Sequence, residues 1–316
     1  MANLLDQASI VLTPTAYDNG KVLCAKPSEP PYGDFDFSRN SAATRVNAQG
    51  LVENVQILSS NLVQNGDFSE EGVQEVSNGS FSQEGSELIT NGNFENGSTG
   101  WGFIGAGWTF VGGKATHTGV QSILGQSNIL TIGKSYKITF DLSGADGSNY
   151  LRLLTSQYPN GGNYTSDGTI TVYTSTNIDD FLVYAVGDIS IDNVSCVEVG
   201  QDWTLGTGWS IAEDKANGDG SGTAYSIALQ SLPISAISGN TVKLEYTISN
   251  YVSGSVRPTL GVVNGLERNS NGTFIEYIKL GSNAPALQLL NRATALNGSI
   301  TNISVKEVGQ NWVLNG

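Results

Sequence analysis

The residues best suited to chemistry in this chain of 316 residues are aromatic rings, amides and carboxylates, not nucleophiles. Tyr158-Pro-Asn-Gly-Gly-Asn-Tyr164 is a polar loop flanked by two tyrosines, and Trp101 lies in a glycine-rich stretch. Exposed rings stack on the apolar face of a pyranose while amides and carboxyls reach its hydroxyls. Trp101, Tyr158 and Tyr164 are therefore candidate glycan-binding residues. The competing role for such rings is to fill a sandwich core with their polar tips at the rim. Catalysis finds little to use. There is no Gly-x-Ser-x-Gly elbow and no glycine-rich phosphate loop leading into a helix. The one histidine, His117, is expected on a strand edge, and Cys24 and Cys196 are expected as two free thiols. Carboxylate pairs alone can serve a glycosidase, but no pair stands out here, and the expectation is a protein that is not an enzyme.

Charge narrows the partners further. Fifteen basic residues face 29 acidic ones, a net of −14, and no Lys or Arg occurs from Val46 to Gly113. Such a surface repels phosphate backbones and anionic membranes, so neither nucleic acid nor membrane insertion is expected. The start MANLLDQASIVLTPTAY lacks a basic n-region and is not expected to be a secretory signal.

The elements that would position these residues announce themselves by repetition. Ile191–Trp203 reappears as Ile300–Trp312, offset by 109 residues with eight of thirteen positions identical. Gly105-Ala-Gly-Trp108 likewise matches Gly206-Thr-Gly-Trp209, which assigns both tryptophans to the core. A shorter repeat, Asn65-Gly-Asp-Phe68, Asn78-Gly-Ser-Phe81 and Asn91-Gly-Asn-Phe94, recurs every 13 residues. Ser135–Leu142 and Thr241–Ile248 alternate apolar and polar residues as half-buried strands do. Eleven Asn-Gly dipeptides punctuate the chain, and many of them are expected to close type I′ hairpins. The fold class expected is all-β: an extended N-terminal docking segment followed by two tandem jelly-roll β-sandwiches. The boundaries expected are 1–60 for the docking segment, 61–87 for a short-repeat linker, 88–200 for the first module and 201–316 for the second with its tail. Thirteen-residue repeats cannot bury Phe68, Phe81 and Phe94 alone, and packing them around a shared axis predicts a homotrimer.

At Phe35-Asp-Phe-Ser-Arg-Asn-Ser-Ala-Ala-Thr-Arg-Val-Asn-Ala-Gln-Gly-Leu51 the sequence resembles a segment near the start of many bacteriophage virion proteins. The modules, opening with ELITNGNFE and closing with ISIDNVSCVEV, resemble the jelly-roll carbohydrate-binding modules of bacterial glycosidases. Together they are similar to phage appendage proteins such as head fibres. The resemblance implies a virion location after assembly in the bacterial cytoplasm, and docking to capsid or tail proteins through Phe35, Phe37, Arg39 and Arg45. It implies host or mucosal glycans as ligands, with a receptor-binding tail fibre or a non-catalytic carbohydrate-binding protein as the alternative roles. It also implies a structural calcium in module one at Glu95 and Asp192, oxygen ligands of the kind that ion takes. Module two, with Thr301 at the place of Asp192, is expected to lack the ion.

Overall fold

A computed structural model describes residues 17–18, 21–23, 34–36, 44–46, 48–54, 64–67, 69–154, 162–222, 227–231, 239–281 and 286–309. Every regular element among these residues is a strand. The chain divides into two units, 1–64 and 65–316. In the first, β1 (Tyr17–Asp18), β2 (Lys21–Leu23) and β3 (Asp34–Asp36) form an antiparallel sheet in that order. β4 (Thr44–Val46) and β5 (Val52–Asn54) form a separate hairpin. The expected extended segment is thus drawn into short pairings where it is described. Of the four residues expected to dock, Phe35 lies in β3 opposite Val22, and Arg45 lies in β4 opposite Glu53. Phe37 and Arg39 lie outside the described residues.

The second unit begins with β6 (Glu71–Gln74) and β7 (Glu84–Glu87). Nine strands follow: β8 (Phe103–Ile104), β9 (Trp108–Phe110), β10 (Ala115–His117), β11 (Ser122–Gln126), β12 (Ser135–Ser143), β13 (Tyr150–Leu153), β14 (Gly168–Ser175), β15 (Phe181–Val186) and β16 (Ile189–Val199). Then come β17 (Thr204–Leu205), β18 (Trp209–Ala212), β19 (Lys215–Asp219), β20 (Ile227–Ser231) and β21 (Thr241–Ser253). The last five are β22 (Val256–Leu260), β23 (Val263–Asn264), β24 (Gly272–Lys279), β25 (Ala286–Asn291) and β26 (Asn297–Val308).

These strands build two sandwiches. In the first, the sheet β14-β12-β16-β10-β9 faces the sheet β13-β15-β11-β8; in the second, β24-β21-β26-β19-β18 faces β17-β20-β25-β22-β23. The period-2 pattern read from the sequence is the cause. Tyr136, Ile138, Phe140 and Leu142 of β12 all point into one core, and Val242, Leu244, Tyr246 and Ile248 of β21 into the other.

The short repeats are not a linker. β7 pairs with β16 of the first sandwich, whereas β6 pairs with β26, the last strand of the second. Phe94 lies in the first core, stacked on Trp101 at 4.9 Å. Phe81, which precedes the whole first sandwich, lies in the second core against Trp203 at 5.0 Å. The two openings are built alike. Trp101 Nε1–H donates to the Asn91 carbonyl at 3.1 Å, and Trp203 Nε1–H donates to the Asn78 carbonyl at 3.2 Å. Val194 N–H donates to the Gly92 carbonyl, and Ile303 N–H to the Gly79 carbonyl, both at 2.9 Å. The approach is so close that a Cβ on either glycine would collide with the carbonyl oxygen of Val194 or Ile303. Asn78 and Asn91 take positive φ (46° and 55°), which asparagine tolerates, and they carry Phe81 and Phe94 into the same region (58° and 51°), where a bulky residue is strained.

The first sandwich is therefore inserted into the second. The insertion is possible because its own ends are neighbours: Glu84 and Val199 are paired across β7 and β16. The expected boundaries at 88 and 201 are corrected accordingly, since residues 71–81 belong to the second sandwich and residues 84–87 to the first. With Phe81 and Phe94 buried inside their own chain, the reason for packing them around a trimer axis falls away; Phe68 lies outside the described residues. Two local expectations also change. Among the described residues, two-residue turns with both φ positive occur at Gly112-Gly113 and Glu213-Asp214, and Asn217-Gly218 runs inside β19, while Asn19-Gly20, which connects the paired Asp18 and Lys21, lies outside the described residues. His117 is on β10, an interior strand between β9 and β16, and is buried.

Charge seals each opening strand at the surface. Glu84 reaches Lys137 at 2.7 Å, and Glu71 reaches Lys243 at 2.6 Å and Lys306 at 2.9 Å. Hydrogen bonds from the two lysines hold the Glu71 carboxyl below its usual range. Their help to β6 is present above the ordinary carboxylate pKa and is lost as the pH falls through the lowered value. Nesting makes a sharp prediction: Phe81→Ala should cost about 3–5 kcal/mol and loosen β26, more than 200 residues away, while Phe94→Ala should loosen β16. Hydrogen exchange resolves the two, and a β26 indifferent to Phe81→Ala would contradict the insertion.

Candidate binding face and cation rim

Of the three expected glycan-binding rings, the structure describes Trp101 and Tyr164. Trp101 is 5% exposed, sandwiched between Phe94 and, at 6.2 Å edge-on, Phe181. Its ring faces are inside the core, so it offers nothing to a sugar. Tyr158 lies outside the described residues. Tyr164 is half-buried, with its ring edge-on to Phe140 at 5.5 Å and its backbone bridged to Leu151. Burial of its hydroxyl pushes that group's pKa up. Tyr164 is thus a rim residue with one foot in the core.

Beside it lies a surface the sequence did not single out. β13, β15 and β11 bring Arg152, Tyr184 and Ile123 into one cross-strand row, and Tyr150 stands two residues along on the same face as Arg152. The inward residues of these strands, Leu151, Leu153, Val183, Ala185 and Leu124, are buried, so the row points outward. The Arg152 guanidinium donates through Nη2 (2.7 Å) and Nε (3.0 Å) to Asn163 Oδ1 and lies 5.9 Å from the centre of the Tyr150 ring. Two tyrosine rings, a fixed guanidinium and an amide on a partly exposed strand face are a set that can stack on a sugar ring and bond its hydroxyls. The signal was present but masked: Tyr184 sits in FLVYAV, an apolar run that reads as buried core.

The second feature is the rim where the opening Asn-Gly turn meets the closing strand. In the second sandwich the Thr301 hydroxyl bonds the carbonyls of Ser80 (3.3 Å) and Asp214 (3.1 Å). The equivalent positions in the first are Asp192, Asn93 and Gly113. An ionised carboxylate cannot donate to carbonyls, so Asp192 cannot repeat the hydrogen bonds that Thr301 makes. Asp141 adds to this, standing directly opposite Asp192 where the second sandwich has Thr247 opposite Thr301. The Asn193 amide (2.8 Å) and then the Thr169 hydroxyl (2.5 Å) hold the Asp141 carboxyl below its usual range. Asp192 accepts the Asn193 backbone N–H at 2.7 Å. Glu95 is exposed, its N–H donating to Asn93 Oδ1 at 3.4 Å. Among the described residues no three His, Cys, Asp or Glu side chains form a metal cluster. A hard cation here would thus rest on carboxylates and backbone carbonyls together, which suits calcium.

The remaining reactive groups are enclosed. Cys196 is a free thiol buried in the first core, pushed up to about 12 by burial and secondarily by Glu87, and so inert; Cys24 lies outside the described residues. His117 Nδ1 is 2.7 Å from the Gly187 carbonyl, which fixes that nitrogen as the proton carrier.

No family model and no curated relative matches the chain. Among solved structures, the N-terminal CBM22-1-CBM22-2 tandem domain from Paenibacillus barcinonensis Xyn10C is 12% identical, with a TM-score of 0.27, over 74% of this chain and 92% of its own. A structure of allantoicase is 10% identical, with a TM-score of 0.27, over 58% of this chain and 76% of its own. The functional reading rests on the residues and not on these likenesses.

The rim predicts an asymmetry between the sandwiches. Calcium should raise the melting temperature of the first and leave the second nearly unchanged, because a ligand of the native state alone stabilises it. Asp192→Ala should abolish the effect. Calorimetry with and without chelator that moves neither transition would remove the ion.

Proposed function

We propose that this chain is a non-catalytic interaction protein of a bacteriophage particle, built on jelly-roll sandwiches that display a glycan-binding face. The observation that carries the binding role is the outward row of Tyr184 and Arg152 with Tyr150, braced by Asn163. A guanidinium already fixed by Asn163 loses little entropy on binding, which favours it. The virion role is supported by the Phe35–Leu51 segment alone, with attachment to capsid or tail proteins through that segment. The acidic surface fits a partner recognised through hydroxyls and stacking, not through phosphate. A cation at the Asp141–Asp192 rim would stiffen the first sandwich without taking part in binding.

Two experiments test the two halves of this reading. In titration calorimetry against host surface polysaccharide, Tyr184→Ala should weaken binding about tenfold, the scale of losing one anchoring ring, with the melting temperature unchanged. Trp101→Ala should act oppositely, unfolding the first sandwich. Polysaccharide binding equal in Tyr184→Ala and the parent chain would eliminate this face. A chain beginning near residue 60 should keep both sandwiches and fail to join particles; normal incorporation would place the anchor elsewhere.

A further inference from the structure

The strand face that carries Arg152 and Tyr184 in the first sandwich has a counterpart in the second, and the strand pairing locates it residue by residue. The sheet β13-β15-β11-β8 corresponds to β22-β25-β20-β17. An isolated backbone bridge ties the first strand of each to the connection beyond it, Leu151 to Tyr164 and Val256 to Arg268. These bridges set Arg257 at the place of Arg152 and Glu267 at the place of Asn163. Arg257 stands opposite Leu290, as Arg152 stands opposite Tyr184. Val256, Leu289 and Asn291 are buried inward, so Arg257, Leu290 and Arg292 fall on the outer face.

The chemistry at this place has changed. Glu267 does not clasp its arginine as Asn163 does: its carboxylate accepts the Ser255 hydroxyl at 2.5 Å and the Arg292 Nε–H at 3.5 Å. The Arg257 side chain makes no hydrogen bond or ion pair with a described residue, and its Nε–H is shut away from water without an acceptor. An enclosed donor left unpaired is costly to keep. The neighbouring guanidiniums are matched, Arg268 by buried Glu276 at 3.3 Å and Arg292 by Glu267. Two carboxylates thus serve three arginines, and Arg257 carries the charge left over, in a chain whose net charge is −14. A guanidinium fork matches the two oxygens of a carboxylate. The net charge holds polyanions off, but screening over about 8 Å leaves an isolated carboxylate to feel mainly the local cation.

We propose that the second sandwich carries its own sugar site, selective for a single acidic sugar, with Arg257 taking the carboxylate and Leu290 meeting the apolar face of the ring. Arg292, tied to Glu267, borders the site. The proposal rests on the reading of the equivalent face of the first sandwich as sugar-binding, and it adds that the two faces differ in the charge of the sugar they hold.

The test follows the arginine Nε–H signals of the full chain by NMR during titration with 3′-sialyllactose, with a glucuronate-terminated disaccharide, and with lactose as the neutral counterpart. An acidic sugar should shift the Arg257 signal saturably and lactose should not; which acidic sugar acts separates a sialic acid from a uronic acid. In calorimetry Arg257→Ala should weaken that sugar about tenfold with the melting of the second sandwich unchanged. Arg257→Lys, which keeps the charge and loses the fork, should restore only part of the affinity. Glu267→Gln should act oppositely and tighten binding several-fold, because it removes a carboxylate from beside the ligand. Tyr184→Ala should leave the Arg257 response intact. That response, persisting where Tyr184→Ala has no effect on polysaccharide binding, would support this site and count against the first face alone. An Arg257 signal moved by neither acidic sugar, moved as far by lactose or by N-acetylglycine, or binding indifferent to Arg257→Ala would each overturn the proposal.

Discussion

The contact on which most of this architecture depends is the seating of a short Asn-Gly-x-Phe turn on the closing strand of a sandwich. A glycine lets the two backbones approach until N–H and carbonyl meet, between Gly92 and Val194 and between Gly79 and Ile303. The asparagine then bends the chain so that phenylalanine enters the core, and a tryptophan closes over it while bonding the asparagine carbonyl. Each piece needs the others. Without the close approach the phenylalanine is not delivered, and without the tryptophan the turn carbonyl loses its buried donor, a loss on the order of 1–3 kcal/mol.

What the turn does not require is that its closing strand be near in sequence. Loop-closure entropy rises only slowly with loop length, so an opening can wait for its partner across an entire folded module. The inserted module must only return the chain to where it left. The antiparallel pairing of the first strand with the last, Glu84 with Val199, ensures this. The same pairing that completes a sandwich therefore also makes it a portable insert. The inner sandwich has all its parts contiguous, whereas the outer one joins Phe81 to Trp203 across it.

The two sandwiches share this frame and differ where their surfaces differ in chemistry. The threonine hydroxyl that ties the rim of the second is replaced in the first by a carboxylate facing another carboxylate. The outward sheet face of the first carries tyrosines and a braced arginine. The second also has an ion pair inside: buried Glu276 takes the Arg268 guanidinium at 3.3 Å and the Leu266 N–H at 2.8 Å, with Arg268 lying over the Phe274 ring at 4.7 Å. That network ties the β22–β24 connection to its own core and is not placed to meet a ligand.

The amino-acid sequence by itself determined the all-strand character, the repeated units and the inward-facing residues of β12 and β21, because alternation over eight residues specifies a half-buried strand without reference to anything distant. It also located the rim aspartate, since the 109-residue repeat sets Asp192 against Thr301. Tertiary structure alone decided which opening belongs to which sandwich. All three Asn-Gly-x-Phe turns read alike locally, and only the pairing of β6 with β26 reveals that Phe81 serves strands beyond an intervening module. It likewise decided that Trp101 is core and Tyr184 surface. An aromatic residue has the same local signal in either place, and only the strand that packs over it determines which side meets water.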